Sequence, residues 1–297
     1  MGTRGSALAV AQSGWVASRL KDLEPSLEVE TVLIKTSGDL FGSQPPKEAR
    51  ALAQGVKGLF VKEIEEALSR GEIDFAVHSA KDLPAALACG LLIAAYPPRE
   101  DARDVFIGRG GLRWDDLKEG QRVATSSLRR AIQLQRAKPG VVIVPMRGNV
   151  DTRLRKLNEG AADGLLLAAA GLRRLGRLDV PAQPVAEDVI VPAPGQGALA
   201  VETRAGASAA LNLISRLDDA ATRGAVELER AFLSAVGGGC STPLGAHARV
   251  KGKGAELSVF WSREDGSQAV RLSESCPDLA DSARFAAALA AKLGVKS

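Results

Sequence analysis

Short apolar runs alternate with helical patterns through the first two thirds of this 297-residue chain, and this alternation limits the possible folds more than any other feature. Runs at 27–35, 73–77, 91–95, 104–108, 122–125, 141–145 and 164–168 have strand length and turn residues at their ends. Between them, 7–20, 60–70, 128–137 and 150–158 carry apolar residues at helical spacing. Strands that alternate with helices form parallel sheets covered on both faces, so the pattern predicts an α/β fold. Two Pro/Gly-rich stretches, 97–101 and 189–197, interrupt it as crossovers, and a strand at 198–202 returns to the first domain. After 216 the order changes to a helix at 220–235, strands at 246–251 and 256–262, and a helix near 279–293. That order predicts a small α+β domain. At roughly 100–200 residues per domain, the division is 1–97 with 198–215, then 98–197, then 216–297. Two α/β domains joined by two crossovers predict a cleft, with ligands near the carboxyl ends of the strands. No repeat of fixed period accompanies the pattern.

Composition narrows the partners. No apolar run approaches the roughly 20 residues that span a bilayer, so no membrane partner is expected. The first residues lack a basic segment followed by an apolar one, which predicts a cytoplasmic protein. Cys89, Cys240 and Cys276 are odd in number and far apart, against a disulfide framework. With only His78 and His247 and no C-x-x-C, no metal site is predicted. Net charge is only +4, yet Arg129, Arg130, Arg147, Arg153, Arg155, Lys156, Arg173, Arg174 and Arg177 crowd the middle third. A solvated basic face accounts for roughly a third to a half of them. The planar fork of the others suits carboxylate or phosphate. Aromatics make up 4% of the chain without interleaving among the arginines, which argues against nucleic acid and for a compact polyanion.

Several motifs fall where chemistry would need them. Gly237-Gly238-Gly239-Cys240 follows the helix at 220–235 and puts a thiol on a loop, open to covalent attachment or nucleophilic chemistry. A flexible linker that happens to contain cysteine is the alternative. His78-Ser79-Ala80-Lys81-Asp82 follows an apolar strand. Asp82 there suits acid–base work or cation stabilisation, and Lys81 suits an anion or a Schiff base, whereas a simple helix cap is the bland alternative. Thr125-Ser126-Ser127 before Arg129-Arg130, and Arg147-Gly148-Asn149 before Arg153, each put hydroxyl or amide groups and cations at a helix start. Such starts bind anions, or merely cap helices. Thr3-Arg4-Gly5-Ser6 repeats the design. No phosphate-loop, dinucleotide or serine-hydrolase motif occurs.

Taken in order, these segments resemble the hydroxymethylbilane synthase family, also called porphobilinogen deaminases. The matching pieces are Thr3-Arg4-Gly5-Ser6-Ala7-Leu8-Ala9 with Gln12, Lys57-Gly58-Leu59-Phe60-Val61-Lys62-Glu63, His78-Ser79-Ala80-Lys81-Asp82-Leu83-Pro84 and Arg99-Glu100-Asp101-Ala102-Arg103-Asp104. They continue through Thr125-Ser126-Ser127-Leu128-Arg129-Arg130, Arg147-Gly148-Asn149-Val150, Ala169-Ala170-Gly171-Leu172, Pro194-Gly195-Gln196-Gly197-Ala198 and Gly239-Cys240. The resemblance implies two periplasmic-binding-protein-like domains with a cleft between them, plus the small C-terminal domain. It implies an enzyme that joins four porphobilinogen molecules head to tail, loses ammonia each time, and releases hydroxymethylbilane with water. It implies a dipyrromethane cofactor on a thioether to Cys240, and Asp82 as the catalytic carboxylate. Ser79, Lys81, Asp82, Thr125, Ser127, Arg129, Arg130, Arg147 and Gln196 match cofactor contacts. Arg4, Ser6, Gln12, Lys57, Phe60, Arg147, Arg153 and Arg174 match substrate contacts, with Lys57 and Phe60 at the end of a lid. A monomer without nucleic-acid or membrane partners is the expected state. Only Met1-Gly2 precede the first motif, which predicts a shortened first strand, and a long 38–57 segment departs from the family pattern.

Other classes predict different behaviour. A non-enzymatic two-domain anion-binding protein needs no loop thiol. A Schiff-base enzyme would depend on Lys81 rather than Asp82. A nucleic-acid binder would show strongly salt-dependent binding.

Overall fold

The computed structural model describes residues 1–38, 60–206, 208–237 and 242–294. The expected lid at 38–57 lies almost wholly outside them, and Lys57 and Cys240 lie outside entirely. The chain divides into two compact units, Met1–Arg99 with Ala198–Val226 and Glu100–Gly197 with Glu227–Ser297.

In the first unit, strands numbered in chain order are β1 (Gly2–Thr3), β2 (Val32–Leu33), β3 (Phe75–Ser79), β4 (Leu91–Ala95) and β10 (Leu199–Arg204). Their order is β2-β1-β3-β10-β4. β1 runs parallel to β2 and β3, and β10 runs antiparallel to β3 and β4. The short first strand is real: two residues, yet central enough to pair on both edges. Side chains alternate between faces along a strand. Phe75, Val77, Leu199 and Val201 therefore pack with Val16 and Leu20 of helix α1 (Ala7–Leu23). Ala76 joins Ile64 and Leu68 of α2 (Lys62–Ser69), while Ala198 and Ala200 pack with Ala80, Leu83 and Tyr96. Burial on both faces explains why these strands read as continuous apolar runs.

The second unit repeats the topology with other residues. β5 (Asp104–Gly108), β6 (Arg122–Ala124), β7 (Val142–Val144), β8 (Gly164–Ala168) and β9 (Ala182–Pro184) are ordered β7-β6-β8-β5-β9. β6 is parallel to β7 and β8, and β5 is antiparallel to β8 and β9. One face packs Val105, Ile107 and Leu165 on Leu154 and Leu157 of α4 (Val150–Asn158) and Leu172 of α5 (Ala169–Arg174). The other packs Phe106, Val123 and Leu166 on Leu134 of α3 (Leu128–Ala137).

In each sheet, one antiparallel strand comes from the far side of a crossover. The two crossovers meet within the second unit, where the Glu100 amide donates to the Gly197 carbonyl at 3.1 Å. Gly197 has φ +88°, and a Cβ there would lie 2.3 Å from the Glu100 carbonyl oxygen. Only glycine meets both conditions without strain.

α6 (Ser208–Ile214) and α7 (Ala220–Ala235) lead to a three-stranded antiparallel sheet. It consists of β11 (Leu244–Lys251), β12 (Gly254–Trp261) and β13 (Val270–Cys276), followed by α8 (Ser282–Lys292). The buried Glu229 carboxylate on α7 accepts from the Ala248 amide at 2.8 Å and the Gly195 amide at 2.6 Å. The expected α/β architecture with an added C-terminal α+β piece is thus what the chain forms, but its two large sheets, expected to be parallel, are mixed, because the strand that enters each across a crossover runs antiparallel to its neighbours. Among the described residues, no helix is long and apolar enough to cross a membrane.

Candidate active site

In the first unit the candidate residues gather where β3 ends. Ser79 is its last residue, and Ala80–Asp82 form a 3₁₀ turn. Gln12, buried on α1, donates from Nε2 to Ser79 Oγ at 2.9 Å, and Ser79 Oγ reaches Gln12 Oε1 at 3.2 Å. This pairing fixes the end of the strand against the helix. Asp82 is exposed, whereas Lys81 is half-buried. Ser6 caps α1, its Oγ accepting from the Ala9 amide at 3.3 Å. Arg4 lies over the Phe60 ring at 4.3 Å, a cation–π contact.

In the second unit two helix starts carry most of the remaining candidates. Thr125, just beyond β6, accepts from the Ser127 amide through Oγ1 at 3.2 Å, and Ser127 caps α3. Asn149 caps α4, its Oδ1 accepting from the Thr152 amide at 2.8 Å. The α3 arginines turn inward. Arg129 Nη1 donates to Asp104 Oδ2 at 2.6 Å, and Arg130 Nε donates to Asp104 Oδ1 at 2.9 Å. Gln196 Nε2 reaches the same Oδ1 at 3.0 Å. Burial alone would push the Asp104 carboxyl up, but the two guanidiniums outweigh it and hold it well below the usual carboxylate range. Burial lowers the pKa of Arg129.

Arg153 donates from Nε to the Gly148 carbonyl at 2.8 Å, and Arg174 from Nη2 to the Gly197 carbonyl at 2.6 Å. Burial lowers both, with the Arg130 charge adding to the effect on Arg153, and Arg174 falls to about 10. Neither has a carboxylate at ion-pair distance among the described residues. Arg147 is exposed. Other arginines of the crowded stretch pair on the surface, Arg155 with Glu159, Arg173 with Glu100 and Arg177 with Asp151.

A family model described as porphobilinogen deaminase, dipyromethane cofactor binding domain, matches residues 1–212, and one described as porphobilinogen deaminase, C-terminal domain, matches 224–294. The chain belongs to the porphobilinogen deaminase family. A porphobilinogen deaminase of Geobacter sulfurreducens is 45% identical over 99% of this chain and 90% of its own length. One of Roseiflexus castenholzii is 47% identical over 85% of this chain and 82% of its own. Likeness to solved structures is weak: the periplasmic VFT2 domain of Bordetella pertussis BvgS is 17% identical, covering 70% of this chain and 76% of that chain, with a TM-score of 0.39. Family membership makes the chain a transferase, a hydroxymethylbilane synthase with a dipyrromethane-binding domain.

The residues fit such a group. Dipyrromethane carries acetate and propionate carboxylates. Arg129 and Arg130 share one buried carboxylate, and desolvated Arg153 and Arg174 add two further cations without an ion-pair partner among the described residues. Desolvated guanidiniums in excess are what a multiply anionic ligand neutralises.

Three buried acidic residues, Asp104, Glu202 and Glu229, were given no role by the sequence pattern. Glu202 on β10 places Oε2 3.0 Å from Nε2 of buried His78. Asp104 and Glu202 belong to largely apolar strands, and that mismatch was the available signal; Glu229 lies on α7. Glu202 also affects Glu65, whose carboxyl is raised by burial first and by the Glu202 charge second.

Proposed function

We propose that this chain joins four porphobilinogen molecules head to tail, with loss of ammonia at each addition and release of hydroxymethylbilane by water. Dipyrromethane, when bound through a thioether to Cys240, supplies the pyrrole end to which units are added. Arg129, Arg130 and Arg147 hold its carboxylates and those of the pyrrole units that arrive beside it, with Ser79, Lys81, Thr125, Ser127 and Gln196 as polar contacts. Arg4, Ser6, Gln12, Arg147, Arg153 and Arg174 orient the incoming unit, with Lys57 and Phe60 at the end of the lid. The Asp82 carboxylate oxygens stabilise positive charge on the reacting pyrrole and take up and return its proton. The excess of desolvated guanidiniums over carboxylates in the second unit carries this reading, because carboxylates are the only charges porphobilinogen adds along the growing chain.

In this reading three functional domains, 1–97 with 198–215, 98–197 and 216–297, divide the lid and Asp82, the anion sites, and the cofactor anchor. The protein acts as a cytoplasmic monomer without nucleic acid.

Intact mass after incubation with porphobilinogen tests the proposal. The wild type should gain two linked pyrrole units, and Cys240→Ser should stay folded and gain none. An unmodified wild type after incubation would refute the reading.

A further inference from the structure

Asp104 is the first residue of β5 and is fully buried. An ionised carboxylate is costly to bury unless its oxygens are paired and hydrogen-bonded. Oδ2 takes Arg129 Nη1 at 2.6 Å, and Oδ1 takes Arg130 Nε at 2.9 Å and Gln196 Nε2 at 3.0 Å. Arg130 Nη2 lies 2.7 Å from the same Oδ1. Two neighbours on α3 and one residue of the second crossover thus converge on a single side chain. Backbone carbonyls complete the seats: Val191 for Arg129 Nη1 at 2.7 Å, and Ala102 for Gln196 Nε2 at 2.7 Å. Among the described residues, no other carboxylate lies at ion-pair distance from either guanidinium. The cluster buries two cations against one anion.

We propose that Asp104 is a positioning residue, which sets the orientation of Arg129, Arg130 and Gln196 and leaves their cluster one positive charge in excess for an incoming carboxylate. The proposal rests on the synthase reading above. An arginine side chain loses considerable rotamer freedom when it grips a ligand. Anchoring one edge of each fork removes that loss beforehand. The anchor itself is rigid, because β5 lies between β8 and β9 and Asp104 stands opposite Ala168 in the β8 ladder. A second buried carboxylate would balance the charge and weaken the pull on a ligand.

The test compares Asp104→Asn, which removes the charge, with Asp104→Glu, which keeps it but moves the oxygens by one methylene. Asp163→Asn serves as a control, since Asp163 pairs with Arg109 and Arg122 on the surface of the same unit. Three quantities are measured on the full chain: melting temperature, the rate of covalent mass gain with porphobilinogen, and KM against kcat. Asp104→Glu should remain folded, gain mass about tenfold more slowly, and show KM raised about tenfold with kcat changed less than about threefold. Asp163→Asn should leave loading and KM unchanged. Loading and KM like the wild type in whichever Asp104 variant folds would overturn the proposal. Loss of the fold in both variants would overturn it too, reducing Asp104 to a folding residue. A wild type that gains no mass would instead bring down the synthase reading, and this proposal with it.

Discussion

Ser79 and Asp82 stand three residues apart at the end of β3 but have opposite surroundings. Ser79 is held by the Gln12 amide, while Asp82 is exposed beyond the turn. A carboxylate with no ion pair or hydrogen bond among the described residues can be neutralised at little structural cost. Asp82→Asn should therefore keep the melting free energy within about 0.5 kcal/mol and lower kcat by about 10²–10⁴. Steady-state kinetics beside thermal melting check this, and a variant with unchanged kcat would remove Asp82 from the chemistry. The sequence pattern exposed Asp82, Ser127 and the arginines because strand-then-hydroxyl-then-cation is a local arrangement. It could not expose Asp104 as their partner. Arg129 is 25 residues away along the chain and Gln196 is 92. Only the folded sheet brings them together.

At the scale of elements, strands with a continuous apolar run were legible, the edge strands β4 and β7 among them, whereas the edge strands β2, β9 and β13 were not. Residues 104–108 and 164–168 were expected as strands and are β5 and β8. The expected strand at 27–35 shrinks to Val32–Leu33, both exposed at a sheet edge. β9 was missed because Ala182–Pro184 is short and ends in proline. β13 was missed because serine and charged residues occupy its exposed face, although Val270, Leu272 and Cys276 keep the two-residue period. The crossovers were legible through proline and glycine, but not the reason for Gly197. Gly197→Ala would put a Cβ on the Glu100 carbonyl at φ +88° and shift the carbonyl that Arg174 grips. We expect it to lower stability by roughly 1–3 kcal/mol and to slow mass gain with porphobilinogen. An unchanged urea midpoint would show that the crossing tolerates a side chain.

Across the whole molecule, two sheets share one strand order without any repeat in the sequence. Strand order follows from connection handedness and from burial of apolar faces, and many residue choices satisfy both. Each sheet also contains a buried carboxylate on one antiparallel strand, Glu202 on β10 and Asp104 on β5. The arginines around Asp104 make stability depend on pH. Asp104 is held below the usual range by its arginines, whose charges and hydrogen bonds outweigh its burial, so the unfolded chain takes up this proton first on acidification. Its contribution is complete above the ordinary aspartate range and is lost as pH falls through the depressed folded value. Glu187, also lowered because its His247 and Arg249 contacts outweigh burial, adds in the same direction. Glu65 opposes them. Raised by burial, it stabilises most at low pH and loses that contribution as pH rises through its folded value. With Asp104 the most strongly shifted of the three, the urea midpoint should be nearly flat from about pH 7 to 5 and fall below about pH 4. Asp104→Glu, with its oxygens displaced from both guanidiniums, should show a shallower fall. A midpoint that rises on acidification, or equal slopes in the two proteins, would mean that the arginine cluster does not dominate the acid response.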